Sequence, residues 1–454
     1  MDLRKLSFPD APIIKIEPPG PKSKEILDYQ FSHEGGAVSY SRGLPMALKR
    51  GRGATVEDVD GNIYLDFFGG AGVLNVGHSH PWVVDAAADQ IRELTHSLDI
   101  PNLPRKALVE NLFSVLPEGI DKVFFGGPTG SDAVEAAVKL AKFNTKRPGL
   151  ISFEGGYHGM TAGALSLTSG YPFKEGLLPG LPDIHFIPYA YCYRCAFNKH
   201  PDSCGLECAQ YLEHKLDDPH SGAGKPAAVI VEAVQGEGGT VVPPEGFLPK
   251  IREICTKYEM LLIIDEIQAG FCRTGKMFAF EHTHTVPDIM TMSKALGGVG
   301  FPISCIAYKR ELDTWPPGKH IGTFRGNVIA YAAGNAALTF MKEQDLAGHA
   351  ATLGNTMLSR LKNMEVRSEI IGDVRGKGLM LGVELVEDKA SKKPAPMLAR
   401  DIRTYCHRRG LLIEIGGHYF NVARFLPPLV LTADLADKGL DIFEESVDQV
   451  EKSR

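Results

Sequence analysis

The sequence lacks the features by which several large classes of protein bind their partners. It has no excess of basic residues, since 49 lysines and arginines stand against 55 aspartates and glutamates, for a net charge of -6 at pH 7. A nucleic-acid-binding surface requires a basic patch, so this balance argues against such a partner. No apolar run reaches the roughly 20 residues that cross a bilayer, and the N-terminal residues contain no apolar core of a secretory leader. We expect a cytoplasmic protein without nucleic-acid or membrane partners.

The sequence also lacks the cysteine pattern of a disulfide framework. Of its eight cysteines, four stand singly along the chain, which is typical of a reducing compartment. The other four form two close pairs in an insert at residues 189–210, namely Cys192, Cys195, Cys204 and Cys208. Four sulfur ligands at this spacing can enclose a structural zinc ion, and an iron–sulfur cluster has similar requirements. Reduced thiols packed in a loop, or one disulfide, are the alternatives.

Among the features that are present, one lysine is the most informative. Residues 287–292 form a strand-like, largely apolar run, and Lys294 stands between this run and two glycines at 297 and 298. Burial at such a place disfavours the charged ammonium, so the pKa of the lysine falls toward the range in which the free amine is a nucleophile. Such an amine can form an imine with an aldehyde. A surface lysine that merely closes a strand explains this segment equally well.

A second strand supplies a carboxylate that can act with this lysine. The apolar run at residues 260–264 ends in Asp265 and Glu266. Ligands of open α/β sheets bind beyond the carboxyl ends of the strands, so Asp265 and Lys294 can converge on one ligand. Pyridoxal phosphate (PLP) requires this pair, because its aldehyde reacts with a lysine and its ring nitrogen stays protonated beside an ionised carboxylate. Alternatively, Asp265 only caps the next turn.

A glycine-rich loop provides a place for the phosphate of PLP. Residues 122–125 read as a short strand, residues 126–130 as a loop with three glycines, and residues 131–141 as the start of a helix. The free amides and positive dipole end of such a helix attract an anion. Gly130 and Ser131 are the expected contacts. Many such loops are only turns with a helix cap, so this signal gains weight from Lys294 and Asp265.

The order of strand-like and helix-like segments predicts an α/β protein with two domains. Strands at 150–153, 227–234 and 260–264 alternate with a helix at 247–258, which indicates a mostly parallel sheet covered on both faces. We expect a large PLP-binding domain at residues 61–330. The N-terminal segment 1–60 and a C-terminal portion 331–454 would together form the small domain.

Several motifs in one order resemble those of the class III (ω-amino acid) aminotransferases of fold type I. Besides the phosphate loop and Lys294, the matching segments are residues 58–62, 74–81, 157–159, 232–239, 265–268, 273–275 and 372–378. The likeness covers nearly the whole chain. It implies a fold type I PLP-dependent transferase, with a mostly parallel seven-stranded-type sheet in the large domain and a small α+β domain.

The resemblance also implies roles for individual residues. Lys294 would hold the cofactor and carry the proton, and Asp265 would pair with the ring nitrogen. Gln268 would hydrogen-bond the ring hydroxyl, and Tyr157 would stack on the ring. The remaining cofactor-binding residues would be Gly130, Ser131, His158 and Thr323. Because Thr323 would reach the phosphate of the other subunit, the active enzyme is expected to be a homodimer or a higher homo-oligomer.

The resemblance further implies a switch between two substrates. In similar enzymes a glutamate holds an arginine while the amino donor is bound, and the arginine turns to the carboxylate of glutamate or 2-oxoglutarate afterwards. Glu232 and Arg424 are predicted to form this pair and to bind substrate. The alternative is that Arg424 makes a fixed structural ion pair.

The substrate expectation comes from a closer likeness to diaminobutyrate–2-oxoglutarate aminotransferases. It rests on residues 127–130, 158–161, 267–270, 322–327 and 410–414. A terminal amine such as that of 2,4-diaminobutyrate would pass to 2-oxoglutarate. A PLP-dependent amino-acid racemase or epimerase of the same superfamily is the first alternative, and a noncatalytic protein that binds metal and partners through the cysteine insert is the second.

Overall fold

A seven-stranded sheet lies at the centre of the protein. The computed structural model describes every residue from Met1 to Arg454. The strands are β1 (Leu48–Arg52), β2 (Thr55–Asp58), β3 (Ile63–Asp66), β4 (Lys122–Phe125), β5 (Leu150–Phe153), β6 (Ile184–Ile187), β7 (Ala228–Glu232), β8 (Leu261–Asp265), β9 (Ile289–Met292), β10 (Cys305–Tyr308), β11 (Ile371–Lys377), β12 (Met380–Leu385), β13 (Leu411–Leu412), β14 (Glu414–Gly416) and β15 (Val422–Phe425).

The helices fall before, between and after these strands. They are α1 (Pro21–His33), α2 (Tyr40–Gly43), α3 (Gly69–Gly72), α4 (Pro81–Glu93), α5 (Leu103–Phe113), α6 (Gly130–Thr145), α7 (Ala162–Leu167), α8 (Glu207–Asp217), α9 (Phe247–Lys257), α10 (Val328–Glu343), α11 (Leu346–Arg367), α12 (Pro396–Arg408) and α13 (Ala433–Lys452). None of them combines the length and the apolar character needed to cross a membrane.

The central sheet is mostly parallel, as predicted. Its strand order is β4-β10-β9-β8-β7-β5-β6. The five strands from β9 to β6 pair in parallel, whereas β10 runs antiparallel to both of its neighbours. The strands β5, β7 and β9 are buried at every position. Continuous burial of this kind is typical of a sheet that is covered on both faces.

Two apolar clusters cover the two faces of this sheet. Consecutive residues of β7 alternate between them, because side chains of a strand point to opposite faces in turn. Val229 belongs to the larger cluster with Ile251 of α9, and Ile230 belongs to the smaller cluster with Leu140 of α6. The predicted alternation of strands and helices therefore yields the expected three-layered arrangement.

Two smaller four-stranded sheets lie outside the central one. The first has the order β1-β2-β3-β13 and joins N-terminal strands to residues 411–412, which pair in parallel with β3. The second has the order β11-β12-β15-β14 and is antiparallel throughout. The N-terminal and C-terminal segments thus share a sheet, although this sheet extends to Asp66, beyond the boundary predicted at residue 60. The domain boundaries themselves stay a prediction.

The cysteine insert packs against the second small sheet. The hydroxyl of Tyr191 and the guanidinium of Arg194 both bond the buried carboxylate of Glu384 in β12. Arg375 of β11 approaches the same carboxylate to 2.7 Å. Three residues of the insert and of β11 thus converge on one buried anion, which fixes the insert to the C-terminal part of the chain.

The prediction of a metal site in the insert is not supported. All four cysteines are free thiols that line one small cavity. No group of three or more histidine, cysteine, aspartate or glutamate side chains in the protein is arranged to hold a metal ion.

Candidate active site

The carboxyl ends of β7, β8 and β9 open into a cavity of about 540 Å³. Its wall contains most of the residues predicted from the sequence, namely Gly130, Ser131, Tyr157, His158, Glu232, Asp265, Gln268 and Lys294. The two other predicted residues, Thr323 and Arg424, do not line it. The position of the cavity agrees with the rule that open α/β sheets bind ligands beyond the carboxyl ends of their strands.

Lys294 presents a reactive amine to this cavity. It lies two residues after β9, and its Nζ donates a hydrogen bond of 2.9 Å to the carbonyl of Ala71 in α3. Burial lowers the pKa of Lys294 from 10.5 to about 8, and the positive charge of Arg424 contributes to the decrease. A substantial fraction of the amine is therefore neutral near pH 8, as a nucleophile that attacks an aldehyde must be.

Asp265 is a buried carboxylate whose orientation is fixed from both sides. Its Oδ2 lies 2.7 Å from Nδ1 of His158. Its Oδ1 accepts hydrogen bonds from the hydroxyl of Thr291 at 2.9 Å and from the amide of Ile267 at 3.1 Å. These bonds hold an acidic group at the end of β8, where it can pair with a protonated ring nitrogen.

The N-terminus of α6 forms the anion-binding end of the cavity. Asp132 accepts a hydrogen bond of 2.8 Å from the amide of Thr129, and this cap starts the helix at Gly130. The backbone passes close to the site, since a Cβ on Gly159 would stand 2.1 Å from the hydroxyl oxygen of Ser131. Free helix amides and a serine hydroxyl therefore meet where a phosphate can enter.

Gln268 supplies a hydrogen-bonding atom that has no partner within the protein. Its Nε2 donates to the carbonyl of Ala71 at 2.9 Å, whereas its buried Oε1 is without a partner. An orphaned buried acceptor of this kind fits a ligand that carries a hydroxyl. Together with an amine of lowered pKa, a fixed carboxylate and an anion site, it forms a set of residues that fits PLP.

The salt bridge of Arg424 is made with a residue other than the predicted one. Its Nη2 lies 2.7 Å from Oε2 of Glu237, a residue of the cavity wall. The guanidinium is buried, and its Nε and Nη1 have no hydrogen-bond partner. Arg424 thus lies behind Glu237 with donors to spare, and release of Nη2 from Glu237 would complete a pair of parallel donors for a substrate carboxylate.

Glu232, the partner predicted from the sequence, is occupied elsewhere. Its two carboxylate oxygens accept backbone hydrogen bonds from Tyr157 at 3.0 Å and from Gly236 at 2.8 Å. Burial raises the pKa of Glu232 to about 7. In this structure the residue positions the segment that carries Tyr157 and does not bond Arg424. The expectation of a Glu232–Arg424 pair is therefore corrected to Glu237–Arg424.

Thr323 lies at the surface, outside the cavity of its own chain. It begins a short 3-10 helix at 323–326, and its carbonyl accepts a hydrogen bond of 2.8 Å from His96. Its exposed position neither places it near the phosphate site of the same chain nor tests the expectation that it serves a second subunit. That role stays a prediction.

Sequence reasoning missed several polar residues of the cavity wall. Glu237 stands in a motif that was identified, but two glutamates five positions apart offered two candidates. Glu414 also belongs to an identified segment, without an assigned role. Tyr40 and Arg403 carried no signal, because neither belongs to an identified motif.

Comparisons with known proteins agree with this arrangement. The family described as aminotransferase class III matches residues 37–447. A diaminobutyrate–2-oxoglutarate aminotransferase of Haemophilus influenzae is 42% identical over 433 residues, which cover 94% of this chain and 95% of that protein. An alanine/serine racemase of Pyrococcus horikoshii is 36% identical, over 96% of this chain and 93% of that protein.

A solved structure extends the likeness to three dimensions. An amine transaminase of an uncultivated Pseudomonas species, in its PLP-bound form, superposes with a TM-score of 0.83 at 30% identity. The superposition covers 93% of this chain and 98% of that one. The family match over most of the chain, together with a cavity whose residues fit PLP, leads to one conclusion. The chain belongs to the class III aminotransferases and is a PLP-dependent aminotransferase.

Proposed function

We propose that the protein transfers the terminal amino group of 2,4-diaminobutyrate, or of a similar ω-amino compound, to 2-oxoglutarate. The observation that carries this proposal is the pair formed by Glu237 and the buried Arg424 beside Lys294. A terminal-amine donor has no carboxylate next to its reacting carbon, so Glu237 can stay on Arg424 while it binds. The named relative from Haemophilus influenzae supports the same donor and acceptor.

In the second half-reaction Arg424 must be free to bind substrate and no longer held by Glu237. 2-Oxoglutarate carries a carboxylate next to the carbon that receives the amino group. When Glu237 moves aside, Nη2 of Arg424 is released, and together with Nε or Nη1, which have no partner in this structure, it can donate a bidentate pair of hydrogen bonds to this carboxylate. One pocket can then bind two substrates of different charge in turn, which is the requirement of a transaminase.

The remaining residues act around the reacting carbon. When bound, PLP supplies an aldehyde for the amino group and a ring that draws electrons from the neighbouring carbon. Lys294 first holds the cofactor and, once released by the donor, moves a proton at its Nζ. Asp265, fixed by His158, keeps a positive charge on the ring nitrogen. The Gly130–Ser131 end of α6 binds the phosphate, and Tyr157 covers one side of the ring.

Assembly and location belong to the same proposal. An exposed Thr323 at the start of a short helix is suited to complete the phosphate site of a second subunit, so we propose a homodimer. The free state of all eight cysteines supports a cytoplasmic location, where thiols stay reduced.

The absorption spectrum of the purified protein tests the proposed reaction. The wild type should show a band of bound PLP, which 2,4-diaminobutyrate alone should remove and 2-oxoglutarate should restore. Lys294→Ala is the control, since it lacks the amine that holds the cofactor. A band that persists with 2,4-diaminobutyrate and with a panel of other terminal amines would contradict the proposal.

Racemisation is the second candidate, and the likeness to the Pyrococcus horikoshii racemase is the observation that favours it. A racemase binds only α-amino acids, whose carboxylate Arg424 could always bind, so a glutamate that neutralises Arg424 between two kinds of substrate would have no evident use. Incubation with single enantiomers of amino acids in the absence of any 2-oxo acid separates the two functions. Loss of optical activity under these conditions, with no transfer of amino groups, would replace transamination by racemisation.

A further inference from the structure

Two charged side chains stand in the cavity wall without a role in the chemistry described above. Arg403 comes from α12, and Glu414 is the first residue of β14. Both line the same cavity as Lys294, together with Tyr40 and Gly43 of the N-terminal segment. A positive and a negative group thus face the substrate space from the C-terminal part of the chain.

Arg403 is a cation that lacks a partner. Its Nε is buried and makes no hydrogen bond. The guanidinium packs against the N-terminal segment, since a Cβ on Gly43 would stand 2.7 Å from Nη1. Burial lowers the pKa of Arg403, and the negative charge of Glu414 offsets this decrease only in part.

Glu414 is an anion in the same situation. Its only hydrogen bond comes from the amide of the next residue, Ile415, at 3.2 Å. Burial raises the pKa of Glu414, and the nearby Arg424 and Arg403 offset this only in part. Arg424 is already bonded to Glu237, so the carboxylate of Glu414 is not needed to neutralise it.

Arg403 and Glu414 are partly buried and offset each other's charge only in part, so a ligand that neutralises both gains two charge-assisted contacts. The ligand must therefore carry a carboxylate and an ammonium close together. The α-amino acid end of a diamino acid has this composition, and its second, terminal amine remains free to react.

We propose that Arg403 and Glu414 select the amino donor, with Arg403 binding the carboxylate and Glu414 the ammonium of its α-amino acid end. The inference rests on the proposed transamination and names the donor class: diamino monocarboxylic acids whose terminal amine is transferred. Both residues are specificity-determining, and neither takes part in proton transfer.

Three donors that differ by one group each test the proposal. 4-Aminobutyrate is 2,4-diaminobutyrate without its α-amino group, and 1,3-diaminopropane is 2,4-diaminobutyrate without its carboxylate. The variants are Arg403→Gln and Glu414→Gln, and Arg400→Gln is the matched control, because Arg400 is an exposed residue of the same helix. For each pair we would measure kcat/KM of the donor half-reaction.

The proposal predicts that each of the two variants loses kcat/KM for a different pair of donors. Loss of one charge-assisted hydrogen bond corresponds to roughly 10- to 100-fold. Arg403→Gln should therefore lower kcat/KM at least about tenfold for the two donors with a carboxylate and leave 1,3-diaminopropane within about twofold. Glu414→Gln should lower it for the two donors with a second amine and leave 4-aminobutyrate within about twofold. Arg400→Gln should change none of them.

A binding measurement separates this inference from the proposed function. Lys294→Ala cannot complete the reaction, so calorimetry on this variant gives the Kd of each of the three compounds. Adding Arg403→Gln or Glu414→Gln to Lys294→Ala should weaken binding of the same pairs of compounds for which kcat/KM falls. Failure of the wild type to convert any donor, with the binding pattern intact, would overturn the transamination alone. Equal losses for all three compounds would overturn the selection by Arg403 and Glu414.

Two further checks keep the test decisive. Arg403→Lys and Glu414→Asp retain the charge, so they should restore part of the discrimination if the glutamine variants fold poorly. If Glu414 instead acts as a second partner of Arg424, Glu414→Gln would change KM for 2-oxoglutarate and spare the discrimination among donors. That result would contradict the proposal.

Discussion

The pKa of Lys294 has a consequence that can be measured on the protein without its cofactor. Because burial lowers this pKa from 10.5 to about 8, the neutral amine becomes the major form above pH 8. We expect the rate at which the cofactor-free protein captures PLP to rise with pH around 8 and then to level off. Stopped-flow absorbance between pH 6 and 10 checks this, with a free lysine derivative as the control. A rate that is still low at pH 8 and continues to rise up to pH 10 would contradict the lowered pKa.

The corrected partner of Arg424 leads to a second prediction at the scale of single residues. Glu237→Gln removes the negative charge that neutralises Arg424, so a donor without a neighbouring carboxylate would face an uncompensated buried cation. We expect the ratio of kcat/KM for 2,4-diaminobutyrate to that for glutamate to fall at least about tenfold, the order of one charge-assisted hydrogen bond.

Glu232→Gln is the matched control, because Glu232 bonds backbone amides and not Arg424. Glu232→Gln should change kcat/KM for 2,4-diaminobutyrate and for glutamate by the same factor. If Glu232→Gln shifts their ratio and Glu237→Gln does not, the pair predicted from the sequence is the functional one and the corrected pair is not.

Among single residues, those that lie directly after a strand could be predicted and those that depend on a turn could not. Asp265 and Lys294 follow buried strands, so the sheet carries them to the ligand regardless of later details. Glu232 likewise ends a buried strand and lines the cavity, but Glu237 lies beyond the turn that contains Gly236, where a Cβ would stand 1.8 Å from Gln268. The direction of each carboxylate depends on this tight packing, which the sequence does not reveal.

At the scale of elements, the direction of β10 was not foreseen. The alternation of strands and helices predicts parallel neighbours, because a parallel connection needs a crossover of a dozen or more residues, usually a helix. Between β9 and β10 the chain forms only a short 3-10 helix at Lys294–Gly297. The strand therefore returns antiparallel, and this keeps the turn after Lys294 at the carboxyl edge of the sheet.

The first small sheet shows a second limit. Strand β13 comprises only Leu411 and Leu412, yet it pairs with β3 more than 340 positions earlier in the chain. A two-residue strand carries no alternation that a pattern can reveal. The two ends of the chain were expected to share a domain, but no local signal predicted that these particular strands would pair.

The contacts between the cysteine insert and Glu384 are expected to stabilise the folded protein, and one substitution tests this. Glu384 is fully buried and holds Arg194 of the insert and Arg375 of β11. Glu384→Gln leaves these guanidinium groups without their carboxylate, which costs about 3 kcal/mol in buried pairs. We expect a lower midpoint of urea unfolding. Glu387→Gln, at an exposed pair with Lys393, is the control and should have little effect. Equal midpoints for the two variants would show that the insert is not held by this anion.

At the scale of the whole molecule, the predicted dimer can be tested by mixing subunits. If Thr323 serves the partner's site, a mixed dimer of Lys294→Ala and Thr323→Val subunits contains one intact site. PLP affinity and activity should then return when the two inactive or weakened proteins exchange subunits. Mixing Lys294→Ala with Asp265→Ala is the control, because both residues line the cavity of one chain. No recovery in the first mixture would place Thr323 outside the partner's site.

The residues of the cavity fall into two groups according to their position in the sequence. The residues that fit the cofactor lie between Gly130 and Lys294, whereas Arg403, Glu414 and Arg424 are translated last. Exchange of this C-terminal part between related proteins would therefore change the contacts to both substrates and leave those to the cofactor in place.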